Sequence, residues 1–393
     1  MNKKKVFISG YYGFNNVGDD LLLLSLTNYL LSQNNISKIS IVVKEIAAKP
    51  LQLDKSIKVI EAPVFKGNKI TRILKTILAE IKHLRENDIY IFGGGTRLFE
   101  TKNRKYQSLL IKYLFLQYNA LFLHKKVYHL GIGIGDVKSK FGKYLLKRIL
   151  NLSSFIYLRD KKSYSIAESY VKKQQKISLG SDLFFLSKKP QVKKIDKVEK
   201  IGLSIFNYFG YISDDVNKKD IFIEKWIAII KDILNKNPNI EISLFSFQKK
   251  YGGNDEVFNQ KIMESINSPR LYHVKYTTNT NNVLNKIHEL DLCIGMRYHF
   301  CLVALYYNIP VLGINYQPKI LNEFKDLGID QFCFEINEFL NSSSLLENKI
   351  DGIIKDVNKT KQNFSEAFLK INKRHLTLKE QLDTILFQFN ERK

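Results

Sequence analysis

The sequence predicts an α/β protein of two Rossmann-like, doubly wound domains that face a cleft. Two observations predict it. Strand-length apolar runs recur along the chain, and each ends in a glycine-rich or polar elbow followed by an apolar helix. Repeating strand, loop and helix builds a parallel sheet whose loops collect on one edge. The pattern also stops at a charged stretch containing Pro190, residues 187–200, and then restarts. These signals place an N-terminal Rossmann-like domain at 1–188, a linker at 189–200, a C-terminal Rossmann-like domain at 201–342, and helices at 343–393 that pack back on the first domain.

The first strand is predicted at 5–9. The loop from Gly10 through Gly13, Asn16 and Gly18 to Asp19 and Asp20 follows, and an apolar helix covers 21–31. This loop is neither a P-loop, since Asp19 stands where Lys-Ser/Thr would be needed, nor the dinucleotide GxGxxG. Its glycines permit close approach of a substrate and its aspartates suit a sugar hydroxyl; a tight turn with helix-capping aspartates explains the same residues equally well. Strands at 39–43 and 57–62 come next. Residues 66–86 then form a basic amphipathic helix, read either as a surface helix packing its stripe on the core or as a face laid on anionic lipid.

Residues 88–92 are a strand running into Gly93-Gly94-Gly95-Thr96-Arg97, where consecutive glycines let backbone amides approach a ligand. A third junction is 127–130 into Gly131-Ile132-Gly133-Ile134-Gly135, one residue short of the dinucleotide fingerprint, so no dinucleotide cofactor is expected. A second basic helix spans 138–150. A strand at 154–158 ends in Arg159-Asp160, with Ser163 opening the next helix, and Ser181-Asp182 closes the half. After the linker the sequence predicts strands at 201–206 and 240–247, helices at 221–234 and 284–289, and then the most informative stretch. There a buried strand at 292–296 meets Arg297-Tyr298-His299, an apolar helix follows, and a strand at 311–315 meets Tyr316-Gln317-Pro318-Lys319. Ligands of open α/β sheets bind at such strand ends, and helix N-termini there favour anions.

Composition limits the partners. The 393 residues are enough for two cores, and 45% are hydrophobic, which is globular. The 62 Lys+Arg against 38 Asp+Glu give a formal charge of +24 and point to an anionic partner, although lysine is spread along the whole chain and general lysine abundance accounts for much of it. With no zinc-finger spacing and no aromatic RNA-binding box, nucleic acid is not expected. Cys293, Cys301 and Cys333 make no CxxC pair and no even disulfide framework, which fits a reducing compartment. The charged N-terminus precedes only a strand-length apolar run, unlike a signal peptide. The longest apolar stretch, 109–123, is broken by Lys112, Gln117 and Asn119 and is not a membrane span. A cytoplasmic protein, peripheral at the inner face of the plasma membrane if the basic helices meet lipid, is the expectation.

The ordered set of motifs resembles the polysaccharide pyruvyl transferases: the loop from Gly10 to Asp20, Gly93-Gly94-Gly95, Gly131 to Gly135, Arg159 to Ser163, Ser181-Asp182, Gly295 to His299, and Tyr316 to Lys319. Asn15-Asn16-Val17-Gly18-Asp19-Asp20 stands where the family has Gly-Asn-x-Gly-Asp-Glu, Tyr298 where it has Leu, and Gln317 where it has Asp. The resemblance implies a GT-B-like architecture and transfer of the pyruvyl unit of phosphoenolpyruvate to a sugar of a surface polysaccharide, or of its lipid-linked oligosaccharide precursor, as a ketal. That chemistry requires no metal or redox cofactor. It needs a proton donor near neutrality and cationic clamps for phosphate and carboxylate. His299 is then the expected acid/base, and Arg297 and Arg159 the anion-binding groups; a helix-capping His299, a salt bridge of Arg159 to Asp160 and a solvated Lys319 are the plainer readings of the same residues. Lys319, Tyr316, Gly13, Asn16, Asp19, Gly94, Gly95, Arg97 and Gly133 are the expected substrate-binding positions. A glycosyltransferase using a nucleotide sugar, or a catalytically silent glycan-binding assembly protein, are the alternatives. Oligomeric state and acceptor sugar are not specified by the motifs.

Overall fold

Each half of the chain reverses its strand order once, and the first two glycine loops and the Arg297-Tyr298-His299 elbow fall at those reversals. The computed structural model describes residues 3–63, 69–100, 107–189, 191–209, 216–249 and 253–387. Two compact units divide it. The first comprises residues 1–14, 19–187 and 374–393, and the second residues 15–18 and 188–373.

In the first unit the strands are β1 (Lys4–Ser9), β2 (Ile36–Val43), β3 (Lys58–Glu61), β4 (Ile89–Gly93), β5 (Thr96–Leu98), β6 (Lys126–Ile134), β7 (Phe155–Leu158) and β8 (Ile177–Leu179). The helices are α1 (Val17–Leu31), whose first two residues belong to the second unit, α2 (Lys69–Glu86), α3 (Gln107–Phe122), α4 (Lys140–Leu152) and α5 (Lys161–Tyr170). All pairings are parallel, in the order β3-β2-β1-β4-β6-β7-β8, with β5 beside β6. The order reverses between β1 and β4, which puts the Gly10 loop and Gly93-Gly94-Gly95 side by side at the switch point. The strands are buried on both faces, as a sheet covered by helices must be: Phe7, Tyr90, Phe92, Val127, Ile132 and Ile156 share one core with Leu110, Leu116, Leu145 and Ile149 of α3 and α4.

The second unit carries β9 (Lys200–Ser204), β10 (Glu241–Phe245), β11 (Leu271–Val274), β12 (Leu292–Gly295), β13 (Val311–Asn315) and β14 (Cys333–Glu335). Its helices are α6 (Val216–Lys236), α7 (Asp255–Ile266), α8 (Thr280–His288), α9 (Tyr298–Tyr306), α10 (Lys319–Leu327), α11 (Ile336–Asn341), α12 (Ser344–Lys355) and α13 (Val357–Phe387). The order β11-β10-β9-β12-β13-β14 reverses between β9 and β12, and Arg297 and His299 follow β12 at that reversal.

Several expectations shift. Helix α1 starts at Val17, inside the glycine loop, because Asp19 and Asp20 sit in its first turn where the helix dipole favours negative charge. Strands β5, β8, β11 and β14 and helices α3, α7, α10 and α11 have no counterpart in the sequence reading; β11 and β14 are short edge strands with little continuous apolar sequence. Residues 66–68 of the first basic helix, and Pro190 in the linker, lie outside the described residues, as do several side chains of the α2 stripe, Ile70, Ile73, Leu74 and Ile77 among them. The C-terminal helices were expected against the first domain. Through Lys373 they belong to the second unit, where Phe364 packs at a tilt against Phe332 at 4.6 Å. Only from Arg374 does α13 belong to the first, where Asp383 accepts hydrogen bonds from Tyr29 (2.7 Å) and Gln33 (3.3 Å).

Candidate functional site

The second unit assembles a polar cluster around its switch point. Strand β12 ends at Gly295, Met296 N donates to Ser204 O of β9 (2.8 Å), and Arg297 becomes the N-cap of α9. The guanidinium is thereby aimed at the loops above the sheet. Asp255, the first residue of α7 and fully buried, takes Arg297 Nε at 3.0 Å and also accepts from Nη2. The same carboxylate accepts the amides of Phe247 and Gln248, both at 3.0 Å. Burial pushes the Asp255 carboxyl up, opposed by the Arg297 charge and these amides. Every neighbour named is a donor, so the group is held as the carboxylate: a protonated acid would have no acceptor there. Burial lowers the Arg297 pKa, but Asp255 and Tyr316 more than offset it, and the net direction is up.

Aromatic rings complete the frame. Phe206 lies under the guanidinium at 4.2 Å and packs at a tilt against Tyr316 at 4.8 Å, and Tyr316 favours the charged form of Arg297. A cation over a ring face gains electrostatic attraction as well as a fixed plane. Lys319 and Gln317 are exposed at the start of α10, so the position that departs from the family pattern faces solvent.

His299 is half-buried in the first turn of α9, and its ring meets Tyr298 edge-on at 5.2 Å. Its closest constraint comes from an unexpected part of the chain. Residues 15–18 of the first glycine loop belong to the second unit. Asn16 pairs with Gln248 as an isolated antiparallel bridge and its Nδ2 donates to Gln248 Oε1, while Val17 N donates to Phe247 O at 3.0 Å. This sets Gly18 against the imidazole: a Cβ there would stand 2.1 Å from His299 Nδ1. Only glycine leaves room for the ring.

In the first unit the remaining expected residues form two groups. Gly94 and Gly95 have positive φ (60° and 74°), as the turn after β4 demands. The space a side chain would need is filled by Leu22 at Gly94 and by the backbone of Lys44 and Glu45 at Gly13. Gly95 instead opens toward Asp19 Oδ1, 3.6 Å from its Cβ position. Arg97 stands over the Tyr113 ring at 5.7 Å and within the field of Asp19, and among the described residues its buried Nε meets no acceptor. Gly133 faces Thr96 and Arg159.

Arg159, expected as an anion clamp, is itself held. It is 9% exposed, donates to Thr96 Oγ1 (3.1 Å) and Asp182 Oδ2 (3.4 Å), and pairs with Asp160 (3.7 Å). Asp160 and Asp182 also cap α5 and a short 3-10 turn at Leu183–Leu186. Two carboxylates beside one guanidinium leave no net positive charge, so the geometry makes Arg159 an organiser of the Thr96 and Gly133 loops. Sequence reasoning missed Gly18, Phe206, Gln248 and Asp255. The pair Gly253-Asn254 ahead of Asp255 signals only a helix start, and its partnership with Arg297 spans 42 residues.

The family model for polysaccharide pyruvyl transferases matches residues 16–318. The amylovoran biosynthesis protein AmsJ of Erwinia amylovora is 19% identical over 279 residues, 63% of this chain and 62% of that protein. The chain thus spans less than two thirds of that relative's length. Among solved structures, a glycosyltransferase of Rickettsia africae superposes with a TM-score of 0.61 at 12% identity, covering all of both chains. The UDP-GlcNAc 2-epimerase of Neisseria meningitidis superposes with a TM-score of 0.58 at 10% identity over 95% of this chain and 100% of that one. These likenesses place both units in the GT-B-like fold class.

Proposed function

The chain belongs to the polysaccharide pyruvyl transferase family, and from that premise we propose that it transfers the pyruvyl unit of phosphoenolpyruvate to a sugar of a surface polysaccharide, or of its lipid-linked precursor, as a cyclic ketal. The observation that carries the proposal is the Arg297 and His299 pair, set in the first turn of α9 at a switch point and locked by Asp255 and Gly18. In this reading His299 protonates C3 of the donor, a sugar hydroxyl adds to C2, and a second hydroxyl displaces phosphate and closes the ring. Arg297 holds the donor carboxylate or phosphate. Asp255 takes two of the five N–H donors of its guanidinium and fixes their direction. The positive end of α9 adds to the anion affinity.

The test is phosphate release from phosphoenolpyruvate with and without lipid-linked oligosaccharide, beside a parallel incubation with UDP-N-acetylglucosamine. Acceptor-dependent phosphate release is expected, with His299→Gln lowering turnover about 10²- to 10⁴-fold. Release of UDP in place of phosphate would transfer the site to the nucleotide-sugar reading, and near-normal turnover in His299→Gln would remove the histidine from the chemistry.

A further inference from the structure

Helices α3 and α4 of the first unit present one continuous aromatic and basic surface. The buried side of α3 is Leu110, Tyr113, Leu116 and Ala120, yet its other side is also apolar: Ile111, Phe115, Tyr118, Leu121 and Phe122 are exposed, Phe122 to 81%. Residues 111, 115, 118 and 122 follow helical spacing and share a face. Helix α4 buries Leu145, Leu146, Ile149 and Leu150 and exposes Lys140, Phe141, Lys143, Tyr144, Lys147 and Arg148. Arg148 Nε donates to Tyr118 Oη at 3.1 Å and its guanidinium lies 5.6 Å from that ring, which joins the two faces. Neither helix contains an acidic residue. Asp136, just before α4, is paired with Lys162.

We propose that this surface docks on an anionic phospholipid bilayer. The sequence excludes 109–123 as a membrane span, and among the described residues no helix is long and apolar enough to cross a membrane. Exposed Phe and Leu beside Tyr, Lys and Arg are instead what an interfacial surface needs: rings enter the headgroup boundary while cations meet lipid phosphates. Charge complementarity selects this occupant. A second copy of a chain carrying +24 would bring the α4 cations against each other, whereas an anionic leaflet neutralises them.

Flotation of the full chain with vesicles tests this in the absence of any substrate, so the outcome is independent of the pyruvyl-transfer reading. Binding is expected to phosphatidylcholine vesicles containing phosphatidylglycerol and not to phosphatidylcholine alone, and high salt should weaken it. Neutralising Lys140, Lys143 and Lys147 to Gln should lower the partition coefficient on the order of a hundredfold. Phe115→Ser with Phe122→Ser should lower it about tenfold or more, with unchanged thermal unfolding because both side chains are exposed. Equal binding to neutral vesicles, undiminished binding of either variant, or loss of self-association in the Phe variant without any lipid binding would overturn the proposal.

Discussion

Removing the Asp255 carboxylate is the sharpest test of how the second unit holds Arg297. In Asp255→Ala the guanidinium, whose side chain is only 14% exposed, loses its counter-charge, and the amides of Phe247 and Gln248 lose their acceptor. Breaking a buried pair by deleting one partner costs about 3–5 kcal/mol. For a unit of this size each kcal/mol corresponds to roughly 2–4 °C, so thermal unfolding followed by circular dichroism should fall by roughly 6–20 °C. Arg297→Met is expected to cost less, because Asp255 keeps its two backbone amides and carboxylates so bonded remain stable as anions. Both variants should lose donor affinity, since one removes the clamp and the other releases it. The reasoning is refuted if Asp255→Ala melts within about 2 °C of the parent, where 1 kcal/mol or less would be at stake, or if Arg297→Met is the less stable of the two.

Gly18→Ala should separate stability from activity. Alanine favours a helix over glycine by about 0.8–1 kcal/mol, so melting should not rise by more than that. Its Cβ, 2.1 Å from His299 Nδ1, forces the ring aside, so turnover in the phosphate-release assay should fall at least about a hundredfold, and a fully active variant would contradict the packing. In the first unit, His129 is buried, stacked on Phe92 at 4.8 Å and bonded to Gln117, and burial followed by the Arg97 charge lowers its pKa to about 3. The unfolded chain therefore binds a proton between about pH 6.5 and 3 that the folded chain does not. Stability is then complete above that window and lost as pH falls through it, by about 2 kcal/mol at pH 5. In His129→Phe, urea titrations should show a shallower decline between pH 7 and 5; an unchanged slope would count against a neutral buried imidazole.

The sequence alone determined the parts that are local. Strand runs and glycine elbows are set by side-chain period and backbone freedom within a few residues, so the parallel α/β class, the helix after each loop, and Arg297 with His299 at a strand end were all legible. The order of motifs was legible too, and the family match agrees with it. Partnerships between distant segments were not, because pairing carries no local signature. Asp255 reads as a helix start until the fold sets it on Arg297. Arg159 reads as an anion clamp or as the partner of neighbouring Asp160, and only the fold brings Asp182 beside its charge as well. The run at 109–123 reads only as an apolar stretch too interrupted to span a membrane. Only the packing of α3 on α4 shows which of its apolar faces is buried and which is left to water. Gly18 reads as a turn residue, and only the tertiary structure places it against His299, since the space a side chain would need is defined by an element 281 residues away.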